Sequence, residues 1–229
     1  MKHEAPDIRD QAAYGLTEAA RYLRLPPATL RTWLLGRDYP KGDSQATFHP
    51  LIKPASKHPL HLSFYNLIEA HVLRSLRTEH GVALAELRKA IAFAQKKLEV
   101  HRLLLSHDLC THGGEIFFDR YVELINLSRS GQLALRKVFE DHLQRVEWDE
   151  WQFPVRLYPY AGALQESSAR VIAIDPKIAF GRPIVRRAGI STAAIVERLD
   201  AGETVKALAE DYDLSPEEIE QAVVYSRAA

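Results

Sequence analysis

The chain has 229 residues, of which 46% are hydrophobic and 26% are charged, and this composition is typical of an ordinary soluble globular protein. Its 30 basic and 30 acidic residues cancel, so any affinity for nucleic acid has to come from a local patch. The single cysteine, Cys110, excludes an internal disulfide, and no apolar run is long enough to cross a bilayer. We therefore expect a cytoplasmic protein with no membrane partner.

Two short helices are predicted within residues 14–35. Thr17 is a suitable N-cap for the first, and Pro27 suits the first turn of the second, where its missing amide costs nothing. The second helix turns Leu30 and Leu34 inward and presents polar residues outward. Those outward residues are Thr29, Arg31 and Thr32. Two helices joined by a sharp turn, the second presenting Thr and Arg, are typical of a helix-turn-helix that enters the DNA major groove. A plain helical hairpin within an all-α core is the alternative.

Several positions of this stretch carry a family resemblance: the pair Ala19-Ala20, Leu23, the run Thr29-Leu30-Arg31, and Trp33. Together they resemble the N-terminal half of a MerR-like winged helix. That resemblance implies DNA binding by the second helix and a wing that follows it. The family usually has Ser where Pro26 stands here, so its usual N-cap is missing.

Residues 36–62 contain four prolines, which exclude a long helix. We predict that residues 46–49 and 60–62 pair as a wing. Residues 14–62 hold seven basic and three acidic residues, and this local excess indicates a DNA contact on an otherwise neutral protein. An ordinary mixed surface is the alternative. The predicted DNA contacts are Thr29, Arg31, Thr32, Arg21, Lys53 and Lys57.

Two long amphipathic helices are predicted next, at residues 64–80 and 82–98, with Ser63 as the cap of the first. Because their apolar stripes are wide, we expect them to form the interface of a homodimer. Beyond residue 101 the pattern becomes mixed α/β. We predict a hairpin of residues 116–118 and 122–125, a helix at 132–144, and strands at 146–148 and 155–158.

Catalytic and metal-binding signals are weak throughout. His107, Cys110 and His112, beside Asp108, form the one group that resembles a metal site, but their spacing is wrong for a zinc finger and a partly buried loop explains them better. No G-x-S-x-G, H-E-x-x-H or phosphate-binding loop is present. We therefore expect no metal, no cofactor and no enzymatic activity.

The C-terminal part is predicted to form a separate unit of two strands, at residues 171–174 and 184–185, followed by three helices. Ser215 and Glu218 form a capping box at the start of the third helix. Several segments carry a resemblance: Asp175-Pro176, Gly181-Arg182-Pro183-Ile184, Ala201-Gly202-Glu203, Asp211-Tyr212 and Leu214-Ser215. The unit resembles the antitoxin-like domain of unknown function 433. Where that family commonly has Gly-Thr-Arg, this chain has Arg187-Ala188-Gly189, so no role is transferred to those positions.

The combination of these units, with the run from Leu62 to Ala70, resembles an antitoxin of the VapB type. The resemblance implies repression of its own operon through operator DNA, and neutralisation of a PIN-like ribonuclease toxin. Residues 191–229 hold nine acidic and three basic residues, so we expect the C-terminal helices not to bind DNA. We expect the basic cluster Arg182, Arg186 and Arg187 to dock on the carboxylates of the toxin, although a solvated basic strand would look the same. Deletion of residues 171–229 should then remove toxin binding and keep DNA binding.

The predicted fold is α+β and mainly α, with domains at residues 1–100, 101–168 and 169–229. They are a MerR-like winged helix-turn-helix, a mixed α/β middle section, and a helix-turn-helix-like unit with a short β-hairpin. A nucleoid-associated antitoxin is the first functional hypothesis. A MerR-like transcription regulator, whose middle section senses a ligand and which has no toxin partner, is the alternative.

Overall fold

The computed structural model describes residues 7–41, 44–78, 84–106, 112–125, 140, 143–159 and 170–227. Within these ranges, none of the helices combines the length and the apolar character that crossing a membrane requires. Two main apolar cores organise the described chain. The larger joins the N-terminal helices to the helices Phe64–Thr78 and Leu84–Leu98 and to strands of a sheet, and the smaller holds the C-terminal helices together.

The N-terminal helices form where they were predicted. Helix α1 spans Leu16–Tyr22 and α2 spans Pro27–Leu35. Thr17 was predicted to cap α1, and this was wrong, because the helix already begins at Leu16 and its N-cap position is Gly15. No side chain caps that end, since strand β1, Tyr14–Gly15, enters the helix directly.

The pairing predicted for the wing was also wrong. Strand β2 (Arg37–Lys41) pairs with β3 (Ser44–Phe48), whereas β5 (Leu60–Leu62) lies between β1 and β4 (Ser56–Lys57) in a separate small sheet. Only two residues separate β2 from β3, so their pairing costs less loop-closure entropy than pairing with β5. The β2–β3 hairpin therefore occupies the place of the predicted wing.

Helix α3, Phe64–Thr78, passes through the centre of the larger core. The Ser63 hydroxyl accepts a hydrogen bond from the Asn66 amide at 3.2 Å, which confirms the predicted cap. Every residue from Phe64 to Leu73 is buried, and on α4, Leu84–Leu98, the stripe residues Leu87, Ile91 and Ala94 are buried as well. The apolar stripes that suggested a dimer interface therefore pack inside one chain.

Helix α5, His112–Ile125, replaces the hairpin that was predicted for residues 116–125. That prediction was wrong because it rested on aromatic and β-branched residues, whose preference for strands is weak and yields to packing. Phe117 and Phe118 are buried in the larger core, and Val122 packs against the same core. The helix packs against α4. The predicted helix at 132–144 lies almost entirely outside the described residues.

One antiparallel sheet of five strands joins the middle of the chain to its C-terminal part, in the order β10-β9-β8-β7-β6. The strands are β6 (Val146–Trp148), β7 (Pro154–Leu157), β8 (Ile172–Ile174), β9 (Pro183–Val185) and β10 (Ile190–Ser191). The strands predicted near 146, 155, 171 and 184 are confirmed. A division at residue 168 falls between neighbouring strands of this one sheet.

The C-terminal helices are α6 (Thr192–Asp200), α7 (Val205–Asp211) and α8 (Pro216–Arg227). They confirm the three predicted helices. The predicted capping box is present: the Ser215 amide donates to Glu218 Oε2 at 2.8 Å, and the Glu218 amide donates to the Ser215 hydroxyl at 3.2 Å. Helix α8 packs against α6 and α7, and Tyr225 on α8 is buried.

The C-terminal part also packs against the N-terminal helices. The Tyr225 hydroxyl donates a buried hydrogen bond to the carbonyl oxygen of Tyr22 at 3.0 Å. Tyr14 lies directly against Gly181, so closely that a Cβ atom at position 181 would overlap its hydroxyl oxygen. Burial raises the pKa of both Tyr14 and Tyr225 above the ordinary tyrosine value. The two predicted units are thus held together by buried tyrosines.

Candidate functional site

Helix α2 presents the face that was predicted to contact DNA. Arg31 is exposed, and Leu30, Trp33 and Leu34 on the opposite side are fully buried. Thr29 is half-buried. Thr32 is half-buried too, and its hydroxyl donates to the Ala28 carbonyl at 2.9 Å within the helix. Arg31 is consequently the side chain of this face that is best placed to reach a ligand.

The position of α2 is fixed by the chain that follows it. The Trp33 carbonyl accepts hydrogen bonds from the Leu51 and Ile52 amides at 2.8 and 3.1 Å. Gly36 connects α2 to the β2–β3 hairpin with a φ of +77°, and a side chain there would overlap the Phe48 carbonyl. These contacts fix the position of α2 relative to the hairpin and to the chain that follows it.

The other predicted DNA contacts lie on different elements of the chain. Lys53 and Lys57 are exposed, and Lys57 lies in β4. Arg21 is exposed at the end of α1, where its guanidinium lies 5.5 Å from the centroid of the Tyr22 ring. Arg37, at the start of β2, is a further exposed cation, which was not predicted as a DNA contact.

Arg24 differs from the other cations of this region. It lies in the turn between α1 and α2, where a φ of +51° directs the chain sharply. Its Nε and Nη2 atoms are buried without a hydrogen-bond partner among the described residues, and its guanidinium lies 5.8 Å from the ring centroid of Tyr225. Arg24 is therefore directed toward α8 and does not belong to the exposed basic surface.

Arg88 on α4 is a residue that the sequence analysis missed. Its guanidinium lies 4.4 Å from the ring centroid of Phe48 and donates to the His49 carbonyl, so it connects α4 to the end of the β2–β3 hairpin. Burial lowers the pKa of Arg88. Together with Lys53, Glu69 and Arg102 it lines an open cleft of about 530 Å³. The hydrophobic periodicity of the sequence does not indicate the contact of Arg88 with Phe48, because the two residues are far apart in the chain.

The predicted toxin-binding arginines do not share one environment. Arg182 and Arg186 are exposed, and no ion pair is found for either within the described chain. Arg187 is 53% exposed and is bound within the chain, since its guanidinium lies 3.2 Å from Glu218 and 3.4 Å from Asp213. Burial tends to raise the pKa of Glu218, but the Ser215 amide and Arg187 outweigh it and the pKa is lowered. Arg187 therefore stabilises the start of α8.

Two surfaces that the sequence analysis kept apart are neighbours in the structure. Arg21, predicted to contact DNA, and Arg182, predicted to contact a toxin, line the same small pocket. Tyr22 and Tyr225 line it as well. Arg21 of α1 and Arg182 of the β8–β9 turn thus lie beside one another.

The metal-site candidates cannot be assembled from the described chain. His107, Asp108 and Cys110 lie outside the described residues, and His112 is the first residue of α5. Among the residues that the structure describes, no group of three or more His, Cys, Asp or Glu could hold a metal ion.

Comparison with known proteins places the chain in a family. Residues 172–226 match the model of a family described as "Protein of unknown function (DUF433)". Over 93% of its length the chain is 30% identical to a Mycobacterium tuberculosis (strain ATCC 25618 / H37Rv) protein named "Putative antitoxin VapB45", of which 93% is covered. This chain belongs to the VapB45 family.

A solved structure of similar fold covers an equal share of the chain. It is the X-ray crystal structure of Rv2018 from Mycobacterium tuberculosis, which is 26% identical in sequence and superposes with a TM-score of 0.67. The match spans 93% of this chain and 97% of the other. The DUF433 match covers β8 to α8 and so begins within the five-stranded sheet. The similarity to VapB45 extends over the N-terminal helices as well.

Proposed function

We propose that this protein is the antitoxin of a toxin–antitoxin pair and a repressor of its own operon. The family of VapB45 supports the antitoxin role. One structural observation supports the DNA-binding role. Helix α2 exposes Arg31 next to the β2–β3 hairpin, while its opposite side is buried and its position is fixed by backbone hydrogen bonds to Trp33. We further propose that the protein acts by binding alone, without catalysis, and that operator binding associates it with the nucleoid.

In this proposal α2 enters the major groove as the recognition helix of a MerR-like winged helix-turn-helix. Arg31 reaches a base edge, since a guanidinium can donate two hydrogen bonds to guanine, a contact worth about 1–3 kcal/mol. Thr29 and Thr32 flank it. The exposed cations Arg21, Arg37, Lys53 and Lys57 contact phosphates and position the protein without reading sequence.

We expect Arg31→Ala to weaken operator binding roughly tenfold or more at constant salt, because one bidentate contact is lost. Fluorescence anisotropy with a duplex from the region upstream of the gene measures this. Arg31→Lys keeps the charge but loses the ability to donate two parallel hydrogen bonds. If Arg31 contacts a base, the operator affinity of Arg31→Lys should therefore lie between those of the wild type and Arg31→Ala. Arg227→Ala removes an exposed arginine from α8 and should leave affinity unchanged. A folded Arg31→Ala variant with wild-type affinity would remove Arg31 from the site.

We propose that the protein binds its operator as a homodimer, because one helix-turn-helix covers only a half-site. The stripes of α3 and α4 are buried within one chain, so another surface has to form the dimer. Light scattering at micromolar concentration should give twice the 25.9 kDa mass of one chain. The mass of a single chain would contradict the dimer.

The proposed toxin is a PIN-like ribonuclease, whose active site is rich in carboxylates. Arg182 and Arg186 are exposed without an ion pair in the described chain, and arginine pairs well with carboxylate. Arg187 contributes less, since Glu218 and Asp213 already engage it. Arg182, in the β8–β9 turn, and Arg186, which follows β9, are therefore the cations of the proposed toxin-binding surface.

A further inference from the structure

Phe180 is the most exposed large hydrophobic residue of the described chain. It lies in the turn between β8 and β9, and 92% of its surface is accessible. An exposed apolar ring contributes no hydrophobic stabilisation to the folded state, because that stabilisation comes from the burial of apolar surface. The Phe180 ring is therefore fully available for contact with a partner.

The backbone of this turn holds Phe180 in an unfavourable conformation. Ala179, Phe180 and Gly181 have φ values of +48°, +55° and +75°. A positive φ is rare for a bulky side chain, and such strain is concentrated at functional sites. Tyr14 packs against Gly181 where no side chain fits, and so fixes the turn from the other side. The ring cannot relax inward while these contacts are present.

Hydrogen bonds make the turn rigid before any partner arrives. The Gly181 amide donates to the Ile178 carbonyl at 2.9 Å. At the start of the turn, Asp175 accepts from the Lys177 amide at 2.9 Å and from Arg156 at 2.8 Å. A rigid loop loses little conformational entropy when it binds, which favours affinity.

Other exposed aromatic residues lie at the same end of the sheet. Trp151 and Phe153, in the turn between β6 and β7, are 71% and 49% exposed. Because β6 to β9 are antiparallel neighbours in chain order, the β6–β7 turn and the β8–β9 turn leave the sheet at one end. Exposed apolar residues gathered at one end of a sheet are typical of a protein–protein interface.

The charges near Phe180 indicate the kind of partner. Lys177 and Arg182 are exposed in the same turn, and no ion pair is found for either within the described chain. Asp175 is buried and is paired with Arg156, so it does not offset them. The exposed Glu150 beside Trp151 would be repelled by a phosphate backbone, which favours a protein over DNA. An acidic protein surface with an apolar pocket fits this end of the sheet.

We propose that this end of the sheet is the toxin-binding surface, and that Phe180 is the anchor that fills an apolar pocket of the toxin. The inference rests on the proposed antitoxin function. Lys177 and Arg182 pair with acidic residues at the rim of that pocket, and Trp151 and Phe153 extend the contact. Aromatic side chains and arginines at the centre of an interface carry much of its binding energy.

The test uses the full chain and the product of the reading frame adjacent to its gene, purified separately and titrated by calorimetry. We expect Phe180→Ala to weaken binding about thirtyfold or more, as for an interface hot spot. Phe180→Gly should bind as weakly while folding at least as stably, since glycine accepts the positive φ. Val224→Ala, which shortens a half-exposed residue on α8, is the control and should bind like the wild type.

The outcomes separate the two proposals. If the wild-type protein does not bind the adjacent gene product, the proposed function fails and the anchor fails with it. If the wild type binds and Phe180→Ala binds equally well, the antitoxin role stands and the anchor is wrong. Loss of operator affinity with unchanged toxin binding would assign Phe180 to DNA. A fall from dimer to monomer in light scattering would assign it to a second copy, and either result overturns the proposal.

Discussion

Deletion of residues 171–229 is expected to unfold the rest of the chain instead of leaving a functional DNA-binding fragment. The deletion removes three of the five strands of the sheet and leaves β7 as an edge strand that pairs only with β6. It also removes Ile174, which belongs to the larger core together with Tyr14 and Leu157. The expectation from sequence, that this part can be deleted without loss of DNA binding, is therefore replaced.

The tyrosine contacts make the expected loss large. Removal of α8 exposes the Tyr22 carbonyl, which accepts from the Tyr225 hydroxyl, and leaves the buried nitrogen atoms of Arg24 without the ring that covers them. We expect the fragment to lose more than about 5 kcal/mol of unfolding free energy, which is the entire stability of many domains. Urea titration followed by near-ultraviolet circular dichroism measures this loss.

A point variant provides the matched control for the deletion. Tyr225→Phe removes only the hydrogen bond and leaves the ring in place, so the free energy of unfolding should fall by about 1–2 kcal/mol. The variant should keep a single cooperative transition. A fragment of residues 1–170 that unfolds cooperatively, with the near-ultraviolet spectrum of packed tyrosines, would show that the N-terminal part folds alone.

Most local signals were read correctly from the sequence, although the N-cap predicted at Thr17 was wrong. The capping box of Ser215 and Glu218, the break before Pro27, and the cap at Ser63 each depend on residues a few positions apart. These features stabilise the same element in any context, so the sequence alone determines them. The three C-terminal helices could be predicted for the same reason.

Long-range pairing could not be read in the same way. Which strand pairs with β3 depends on competing partners, and helix α5 forms because Phe117 and Phe118 are buried in the larger core rather than because of their own preference. In the candidate site, the exposure of Arg31 followed from helical periodicity. Periodicity could not predict three other contacts, because the partners are far apart in the sequence. They are the contact of Arg24 with Tyr225, the pairing of Arg187 with Glu218, and the contact of Arg88 with Phe48.

Asn66 makes the contacts that connect the start of α3 to the chain after the hairpin. Its side chain is 1% exposed and takes part in four hydrogen bonds. Its Oδ1 atom accepts from the Ala55 and Ser63 amides at 3.0 and 3.1 Å. Its Nδ2 atom donates to the Lys53 carbonyl and to Glu69, each at 2.9 Å.

We expect Asn66→Ala to lower the free energy of unfolding by about 3–5 kcal/mol, because it leaves buried amide and carbonyl groups without partners, each costing about 1–3 kcal/mol. The segment that carries Lys53 should also lose its fixed position, so operator affinity should fall even in the folded fraction. Chemical denaturation measures the first effect, and Thr204→Ala, which removes the N-cap of α7 at a cost of about 1 kcal/mol, calibrates it. If Asn66→Ala is no less stable than Thr204→Ala, water or neighbouring groups replace these bonds and Asn66 does not hold this part of the DNA-binding surface in place.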